Sequence, residues 1–286
     1  MSEATEETTA KQPEGSGARS RPEEEERSEP AGAASAREAG IPPSGERDPE
    51  LWERNAGWWQ DGFTDGADPE YEEQIIPLVR EHLAGATRVL DVGTGEGQLA
   101  RLATKEGAEL VVGIDPTRAQ LRVAQERNGG PRYARATADA LPFPDNAFDA
   151  VVVCLVFEHI AEHTPAIGEI GRVLAPGGRF LFFLNHPLLQ APNSGWVIDH
   201  VLEEEYWRIG PYLIEDVSLE ELAPGVLLPF VHRPLSQYVN AMADAGLLVE
   251  HMEEPAPPEG FLAKADEYRA AASIPRLLLL VARKLR

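Results

Sequence analysis

The residues from Asp91 to Gly97 could bind a small ligand at the end of a strand. Asp91 follows an apolar run, and three glycines come after it at alternate positions: Gly93, Gly95 and Gly97. Glycine accepts positive φ and has no Cβ, so a ligand can lie directly against such a turn. The free N–H groups of a helix that begins after the turn would face the same ligand. The spacing therefore predicts a strand, a glycine turn and a helix around a binding site.

Acidic side chains beside this turn indicate the kind of ligand. A dinucleotide site uses G-x-G-x-x-G and holds a pyrophosphate on the helix N-terminus, whereas this chain has G-x-G-x-G after Asp91. A carboxylate there repels a pyrophosphate and favours a cation, such as the ammonium and sulfonium groups of S-adenosylmethionine. Asp115 ends the next apolar run, where a carboxylate accepts hydrogen bonds from ribose hydroxyls. These two residues favour S-adenosylmethionine over a nicotinamide dinucleotide.

Four blocks of the sequence resemble the class I S-adenosylmethionine-dependent methyltransferases, and within them the methyltransferase type 11 group. The blocks lie at 91–97, 113–115, 138–149 and 172–178. The resemblance is close over residues 85–185 and loose over 235–286. It implies an α/β fold with a doubly wound, Rossmann-like sheet that is mostly parallel and has an antiparallel edge strand. It also implies S-adenosylmethionine as the cofactor.

The resemblance assigns roles to the residues that match the family's motifs. Asp91 would hold the amino group of the cofactor, Asp115 its ribose, and Asp139 its adenine amine. Leu155, just past the fourth strand, would approach the sulfonium. The complete cofactor set expected from the resemblance is Asp91, Gly93, Thr94, Gly95, Gly97, Asp115, Pro116, Asp139, Ala140 and Leu155.

Two histidines are candidates for the catalytic residue. His159 belongs to a Glu-His pair that is common in the type 11 group, and His186 follows the fifth expected strand. The unperturbed pKa of histidine suits a general base, but His159 could equally shape the methionine pocket or be held in a purely structural role. His186 could be a base or a substrate contact. Glu158 could join both histidines around a metal ion, but no spacing fixes their geometry, and we expect no metal.

The order of apolar segments predicts the elements that position these residues. Strands and helices alternate over 88–92, 97–106, 110–114, 116–127, 132–137, 149–155, 164–174 and 178–185, and a helix over 235–245 precedes strands over 247–252 and 277–284. Such alternation predicts a parallel sheet covered on both faces, with the ligand at the carboxyl ends of the strands.

All five tryptophans lie outside this alternation, in two flanking segments. The segment 48–84 is expected to form a helical lid, and the insertion 187–234 a substrate cover, because loops on a rigid scaffold commonly carry specificity. The expected substrate contacts are Trp58, Trp59, Trp196 and Trp207. The alternatives are apolar packing of an N-terminal helix, and a structural cap or dimer contact for the insertion. Residues 85–186 would form the cofactor-binding core, and 235–286 would complete the sheet.

Charge and composition limit the partners. The net charge is −22, from 26 basic and 48 acidic residues, which disfavours nucleic acid and anionic membranes because both recruit Lys and Arg. A single cysteine, Cys154, excludes an internal disulfide. With no apolar leader or spanning segment, we expect a cytoplasmic protein. Residues 1–47 are too poor in apolar residues to fold alone and are expected to form a disordered acidic tail, or an interaction arm.

The sequence thus predicts S-adenosylmethionine-dependent methyl transfer to a small organic molecule. Whether oxygen, nitrogen or carbon accepts the methyl stays open, as does the oligomeric state. Two alternatives remain: a non-catalytic S-adenosylmethionine-binding or scaffold protein, and a nicotinamide-dependent oxidoreductase.

Overall fold

The computed structural model describes residues 49–264, 269 and 271–285; the tail expected at 1–47 lies outside them. Within the described residues the helices are α1 (Pro49–Phe63), α2 (Ile76–His82), α3 (Gln98–Lys105), α4 (Arg118–Arg127), α5 (His163–Val173), α6 (Pro187–Gln190), α7 (Leu235–Asp244) and α8 (Glu259–Leu262). The strands are β1 (Arg88–Val92), β2 (Leu110–Asp115), β3 (Arg132–Arg135), β4 (Phe148–Cys154), β5 (Leu174–Asn185), β6 (Gly195–Asp199), β7 (Glu204–Arg208), β8 (Asp216–Ala223), β9 (Val226–His232), β10 (Leu247–Glu253) and β11 (Leu277–Lys284).

Seven of these strands form one sheet in the order β10–β11–β5–β4–β1–β2–β3. The strands from β5 to β3 run parallel to their neighbours, and β11 runs antiparallel to both β5 and β10. The chain moves outward from β1 to β3 and then crosses to β4 on the other side of β1. The topological switch point therefore lies between β1 and β4, where ligands of such sheets bind. The predicted doubly wound sheet is confirmed.

Both faces of the sheet are buried, which explains why its central strands are almost continuously apolar. In β1, Leu90 and Val92 face one hydrophobic cluster, which includes residues of α5 and α7. Val89 faces the other cluster, which includes residues of α2 and α3. Side chains alternate between faces with a period of two, so helices must cover each face.

The predicted element bounds hold closely, with one larger difference at β5. The strand begins at Leu174 rather than at Gly178, because Leu174 is already extended (φ −70°, ψ 136°) and pairs with Phe148 of β4. The register shifts between this pair and Arg179. Pro176 and Gly177, which follow the end of helix α5 at Val173, thus lie inside strand β5.

The insertion has more regular structure than its sequence predicts. It contains α6 and two antiparallel hairpins, β6–β7 and β8–β9, each a separate two-stranded sheet. Trp196 and Trp207 are directly paired across the first hairpin, with ring centroids 5.8 Å apart. The second hairpin lies against α1 and the turn after β4 through its strand β9.

No helix in the described part of the chain combines the length and the apolar character needed to cross a membrane.

Candidate active site

A cavity of about 330 Å³ opens at the carboxyl ends of β1, β2 and β4. Its floor is the glycine turn after β1 together with the loop at 136–139. Its cover comes from α1 on one side and from the hairpin β8–β9 on the other. The cavity therefore lies at the switch point that the sheet topology defines.

The glycine turn leaves space for a ligand at one position. Gly93, Gly95 and Gly97 all have positive φ, at 73°, 54° and 86°. A Cβ on Gly93 would collide with Val156, and one on Gly97 with Tyr133, so these two glycines are needed for packing. A Cβ on Gly95 would meet no atom within 4 Å. Gly95 is therefore where a ligand can lie against the backbone.

Two buried carboxylates flank this turn. Asp91 Oδ2 accepts a hydrogen bond from Thr94 Oγ1 at 2.6 Å, and burial raises the pKa of Asp91 to about 7, with Asp115 contributing. Asp115 accepts from Thr117 N at 2.8 Å and from Gly95 N at 3.0 Å. Burial also raises the pKa of Asp115. Both residues line the cavity as the sequence predicted.

The cavity is acidic. Its lining includes the carboxylates of Asp91, Glu96, Asp115, Asp139 and Glu162, and no Lys or Arg is among the described residues that line it. Buried charge is costly unless it is paired, so the site favours a cationic ligand and disfavours a pyrophosphate. A sulfonium and an ammonium group meet this requirement.

Glu96 is a cavity residue that the sequence analysis did not single out. Its Oε2 accepts hydrogen bonds from Arg101 and Arg127, both at 2.6 Å, which fixes the glycine turn to α3 and α4. Its Oε1 and Gln98 Nε2 are buried without a hydrogen-bond partner among the described residues. Polar atoms of this kind need partners, and a polar cofactor in the cavity can supply them.

His159 is a neutral hydrogen-bond acceptor in the cavity wall. Its Nδ1 lies 2.7 Å from Pro229 O on β9. A carbonyl oxygen only accepts, so Nδ1 carries the proton and Nε2 keeps its lone pair. Burial lowers the pKa of His159 to about 4. Trp52 and Phe230 contact its ring edge to face, with centroids 4.8 and 4.7 Å away.

His186 and Glu158 do not line the cavity. His186 Nδ1 accepts from Leu188 N at 3.1 Å, and Nε2 donates to Glu254 at 2.8 Å. Both ring nitrogens are thus engaged, because His186 caps the short helix α6. Glu158 accepts from Asn185 Nδ2 at 2.6 Å. His186, a catalytic candidate from the sequence, is thus not among the residues that line the cavity. Among the described residues, no metal-binding group joins Glu158 or His186 with His159.

Some of the remaining predicted site residues line the cavity, and others do not. Gly93, Thr94, Gly95, Pro116, Asp139, Leu155 and Trp59 line the cavity together with Asp91 and Asp115. Gly97 and Ala140 do not, since Gly97 packs on Tyr133. Trp58 packs against Phe63, and Trp196 and Trp207 pack on each other, away from the lining.

Contacts between distant segments hold the cover in place. On α1, Glu53 accepts from the backbone N–H groups of Arg118 and Ala119 at 2.8 and 3.0 Å and so caps α4. Asn55 donates to Leu227 O on β9 at 3.0 Å. Helix α1 is therefore attached both to helix α4 and to hairpin β8–β9. Sequence spacing offers no signal for either contact.

Arg233 is a second residue that the sequence analysis missed. It is almost fully buried between β9 and α7. Its guanidinium donates to Ile160 O at 2.8 Å, to Ala161 O and to Glu215 Oε1 at 3.2 Å. A planar guanidinium with five donors suits several acceptors at once. Arg233 thereby fixes the segment that carries His159.

Known proteins that resemble this chain are methyltransferases. A family model described as a methyltransferase domain matches residues 90–182. Demethylmenaquinone methyltransferase from Thermus thermophilus is 42% identical over 154 residues, covering 52% of this chain and 66% of that protein. Ubiquinone/menaquinone biosynthesis C-methyltransferase UbiE from Yersinia pestis is 31% identical over 173 residues, covering 56% of this chain and 65% of that protein. The match thus spans just under two thirds of the length of these relatives.

Solved structures match over more of the chain. An S-adenosylmethionine-dependent methyltransferase from Mesorhizobium loti has a TM-score of 0.64 at 30% identity, covering 73% of this chain and 96% of that one. A chain from Listeria monocytogenes has the same fold, with a TM-score of 0.64 at 23% identity. The likeness to nearly the whole Mesorhizobium loti chain, in sequence and fold, shows that this chain belongs to the S-adenosylmethionine-dependent methyltransferases.

Proposed function

We propose that the protein transfers a methyl group from S-adenosylmethionine to a ring carbon of an apolar aromatic acceptor of the quinone type. The observation that carries the proposal is the composition of the cavity lining. Asp91, Glu96 and Asp115 lie at the ends of β1 and β2, and no Lys or Arg is among the described lining residues. The side formed by α1, the segment after β4 and hairpin β8–β9 is mainly apolar, and it also carries the neutral His159 and the carboxylate of Glu162. We call these two parts of the lining the acidic half and the apolar half.

The acidic half suits the cofactor. Asp91 and Glu96 would receive its ammonium group, Asp115 its ribose and Asp139 its adenine. The space in front of Gly95 would take the backbone of its methionine part. When bound, S-adenosylmethionine supplies an electrophilic methyl group on a positively charged sulfur.

The apolar half suits the acceptor. It is formed by side chains from α1, from the turn after β4 and from hairpin β8–β9: Trp52, Trp59, Leu155, Val156, Ile160, Val217, Pro229 and Val231. These side chains would exclude water and align the acceptor carbon with the methyl group, and positioning of this kind can lower a barrier by roughly 7–11 kcal/mol.

His159 would act on a hydroxyl of the acceptor ring. A reduced quinone carries such a hydroxyl, and drawing its proton toward a base makes the ring carbon more nucleophilic. His159 Nε2 has a free lone pair at neutral pH, because its pKa is about 4. The residue would therefore accept the hydroxyl hydrogen bond without prior deprotonation. The ring carbon would lose its own proton to solvent once the new C–CH₃ bond has formed.

The acceptor class rests on the names of the relatives. One is a demethylmenaquinone methyltransferase and the other a ubiquinone/menaquinone C-methyltransferase. An aromatic acceptor fits the Trp52 and Trp59 side of the cavity, where rings prefer edge-to-face or offset contacts. We therefore take a reduced demethylmenaquinone as the first acceptor to test.

The test measures product formation by the full chain with S-adenosylmethionine and dithionite-reduced demethylmenaquinone. We expect S-adenosylhomocysteine and a ring-methylated quinone in equal amounts. His159→Ala should lower kcat by roughly 10²-fold or more with cofactor affinity unchanged, whereas the exposed-residue variant His200→Ala should match wild type. Cofactor binding without turnover would favour the non-catalytic alternative, and binding of NADH instead would favour the oxidoreductase.

A further inference from the structure

A second cluster of ligand-type side chains lies away from the cavity, between α2 and the edge strand β10. His82 is the last residue of α2, and His251 and Glu253 belong to β10. One donor atom from each lies within 4.8 Å of the other two. None of the three residues lines the cavity, so this cluster is independent of the proposed methyl transfer.

The geometry of strand β10 places the donor atoms of His251 and Glu253 on one face of the strand, near His82. Residues two apart on a strand share a face, so His251 and Glu253 lie on the same side of β10. The pairing register with β11 shifts between Val249 and His251, and bulges of this kind redirect side chains. His82 Nε2 lies 2.7 Å and His251 Nε2 lies 3.2 Å from the same atom, Glu253 Oε1.

These distances approach those of a metal site. Donors about 2.1 Å from one tetrahedral ion lie roughly 3.4 Å apart. The two histidine–carboxylate distances already lie near this value, and the His251 side chain is 57% exposed and can rotate to complete the set. In the structure both imidazole Nε2 atoms approach one carboxylate oxygen, Glu253 Oε1. An ion among the three atoms would engage each of them.

We propose that His82, His251 and Glu253 bind a late first-row divalent cation, Zn²⁺ foremost. Two imidazole nitrogens and one carboxylate oxygen suit Zn²⁺, whereas Mg²⁺ prefers an all-oxygen shell. The net charge of −22 favours cation binding in general. The ion would join the end of α2 to the edge strand and so stabilise the folded state.

The experiment is calorimetric titration of the EDTA-treated full chain with ZnCl₂, with circular dichroism to check that each variant folds. We expect one Zn²⁺ per chain, a rise in Tm on binding, and no binding of Mg²⁺. His82→Ala and His251→Ala should each weaken Zn²⁺ binding by about tenfold or more. Glu253→Gln should weaken it as well, in a variant of nearly unchanged shape.

His200→Ala is the matched control, because His200 is an exposed histidine in the turn between β6 and β7. It should bind Zn²⁺ like the wild-type chain. The proposal is overturned if no saturable Zn²⁺ binding occurs, if His82→Ala and His251→Ala bind as tightly as wild type, or if His200→Ala loses the site.

Discussion

Burial sets the protonation state of three residues in and behind the cavity. Burial raises the pKa of Asp91 and of Glu158 to about 7 and lowers that of His159 to about 4. All three shifts favour the neutral form, as desolvation requires. Asp91 and His159 line the cavity, and Glu158 does not. Different functional consequences follow from the same physical cause.

Asp91 should make cofactor binding depend on pH. The cationic ammonium group binds the ionised carboxylate, and the pKa of Asp91 without ligand is about 7. Affinity for S-adenosylmethionine should therefore rise as the pH increases from about 6 to about 7.5. Calorimetry at each pH measures this. Asp91→Asn should remove the pH dependence and weaken binding by about 1–3 kcal/mol. The exposed-site variant Asp61→Asn should keep the wild-type affinity and its pH dependence. A wild-type affinity that does not change over this pH range would contradict the assignment.

Glu158→Gln should become more stable relative to wild type as the pH rises. The folded-state pKa of Glu158 is raised to about 7 from 4.5, so its favourable contribution is present below pH 4.5 and is lost as the pH rises through about 7. Between about pH 5 and pH 8 the difference in free energy of unfolding should shift by about 2–3 kcal/mol in favour of the variant. Urea unfolding at both pH values checks it. Glu109→Gln, on an exposed loop, is the control, and an equal shift there would refute the explanation.

At the scale of elements, the two hairpins of the insertion differ in their relation to the site. Hairpin β8–β9 supplies Pro229 and Val231 to the cavity and receives the hydrogen bond from Asn55 of α1. Hairpin β6–β7 contributes no residue to the lining. Its Trp196–Trp207 pair packs on itself. The insertion is thus one segment in sequence, but of its two hairpins β8–β9 lines the cavity and β6–β7 does not.

Replacing residues 196–207 by Gly-Gly should leave cofactor affinity and the acceptor KM within about twofold of wild type. The ends are compatible with a tight turn because Gly195 and Arg208 are paired across the hairpin. Calorimetry and steady-state kinetics give the two values. Trp52→Ala is the contrasting variant, because Trp52 lines the cavity and contacts His159, and it should raise the acceptor KM. A tenfold increase in the acceptor KM after removal of the hairpin would instead indicate that Trp196 and Trp207 contact the substrate.

At the scale of the whole molecule, the net charge is strongly negative. A net charge of −22 over 286 residues generates self-repulsion in the folded state. The acidic lining of the cavity is a local instance of the same bias. Such a molecule attracts cations and repels nucleic acids, which accords with a cationic cofactor.

Salt should therefore stabilise the metal-free chain. Raising NaCl from about 0.02 M to about 0.3 M shortens the Debye length to well below 10 Å and screens the repulsion. Tm, measured by calorimetry in EDTA, should increase by several degrees. Sucrose at equal osmolality is the control for general solute effects, and a Tm that is flat or falling in NaCl would show that self-repulsion is not significant.

The sequence by itself determined the sheet and its switch point, and it predicted a glycine turn with two carboxylates at that point. These features are local: continuous apolar runs predict buried strands, glycines at alternate positions predict a tight turn, and Asp91 and Asp115 lie at the carboxyl ends of β1 and β2. Each can be read from residues within one strand and the turn after it. The predicted bounds of β1 and β11 agree with the structure for the same reason.

Only the tertiary structure decided which side chains complete the site. His159 is neutral because burial lowers its pKa, and its Nε2 keeps a free lone pair because Pro229, seventy residues later, accepts from its Nδ1. His186 does not line the cavity, and its Nε2 donates to Glu254 of another segment. Glu53, Glu96 and Arg233 acquire their roles from partners on other elements. Hydrogen bonds and burial depend on distances between segments that folding brings together, and local spacing carries no information about those distances.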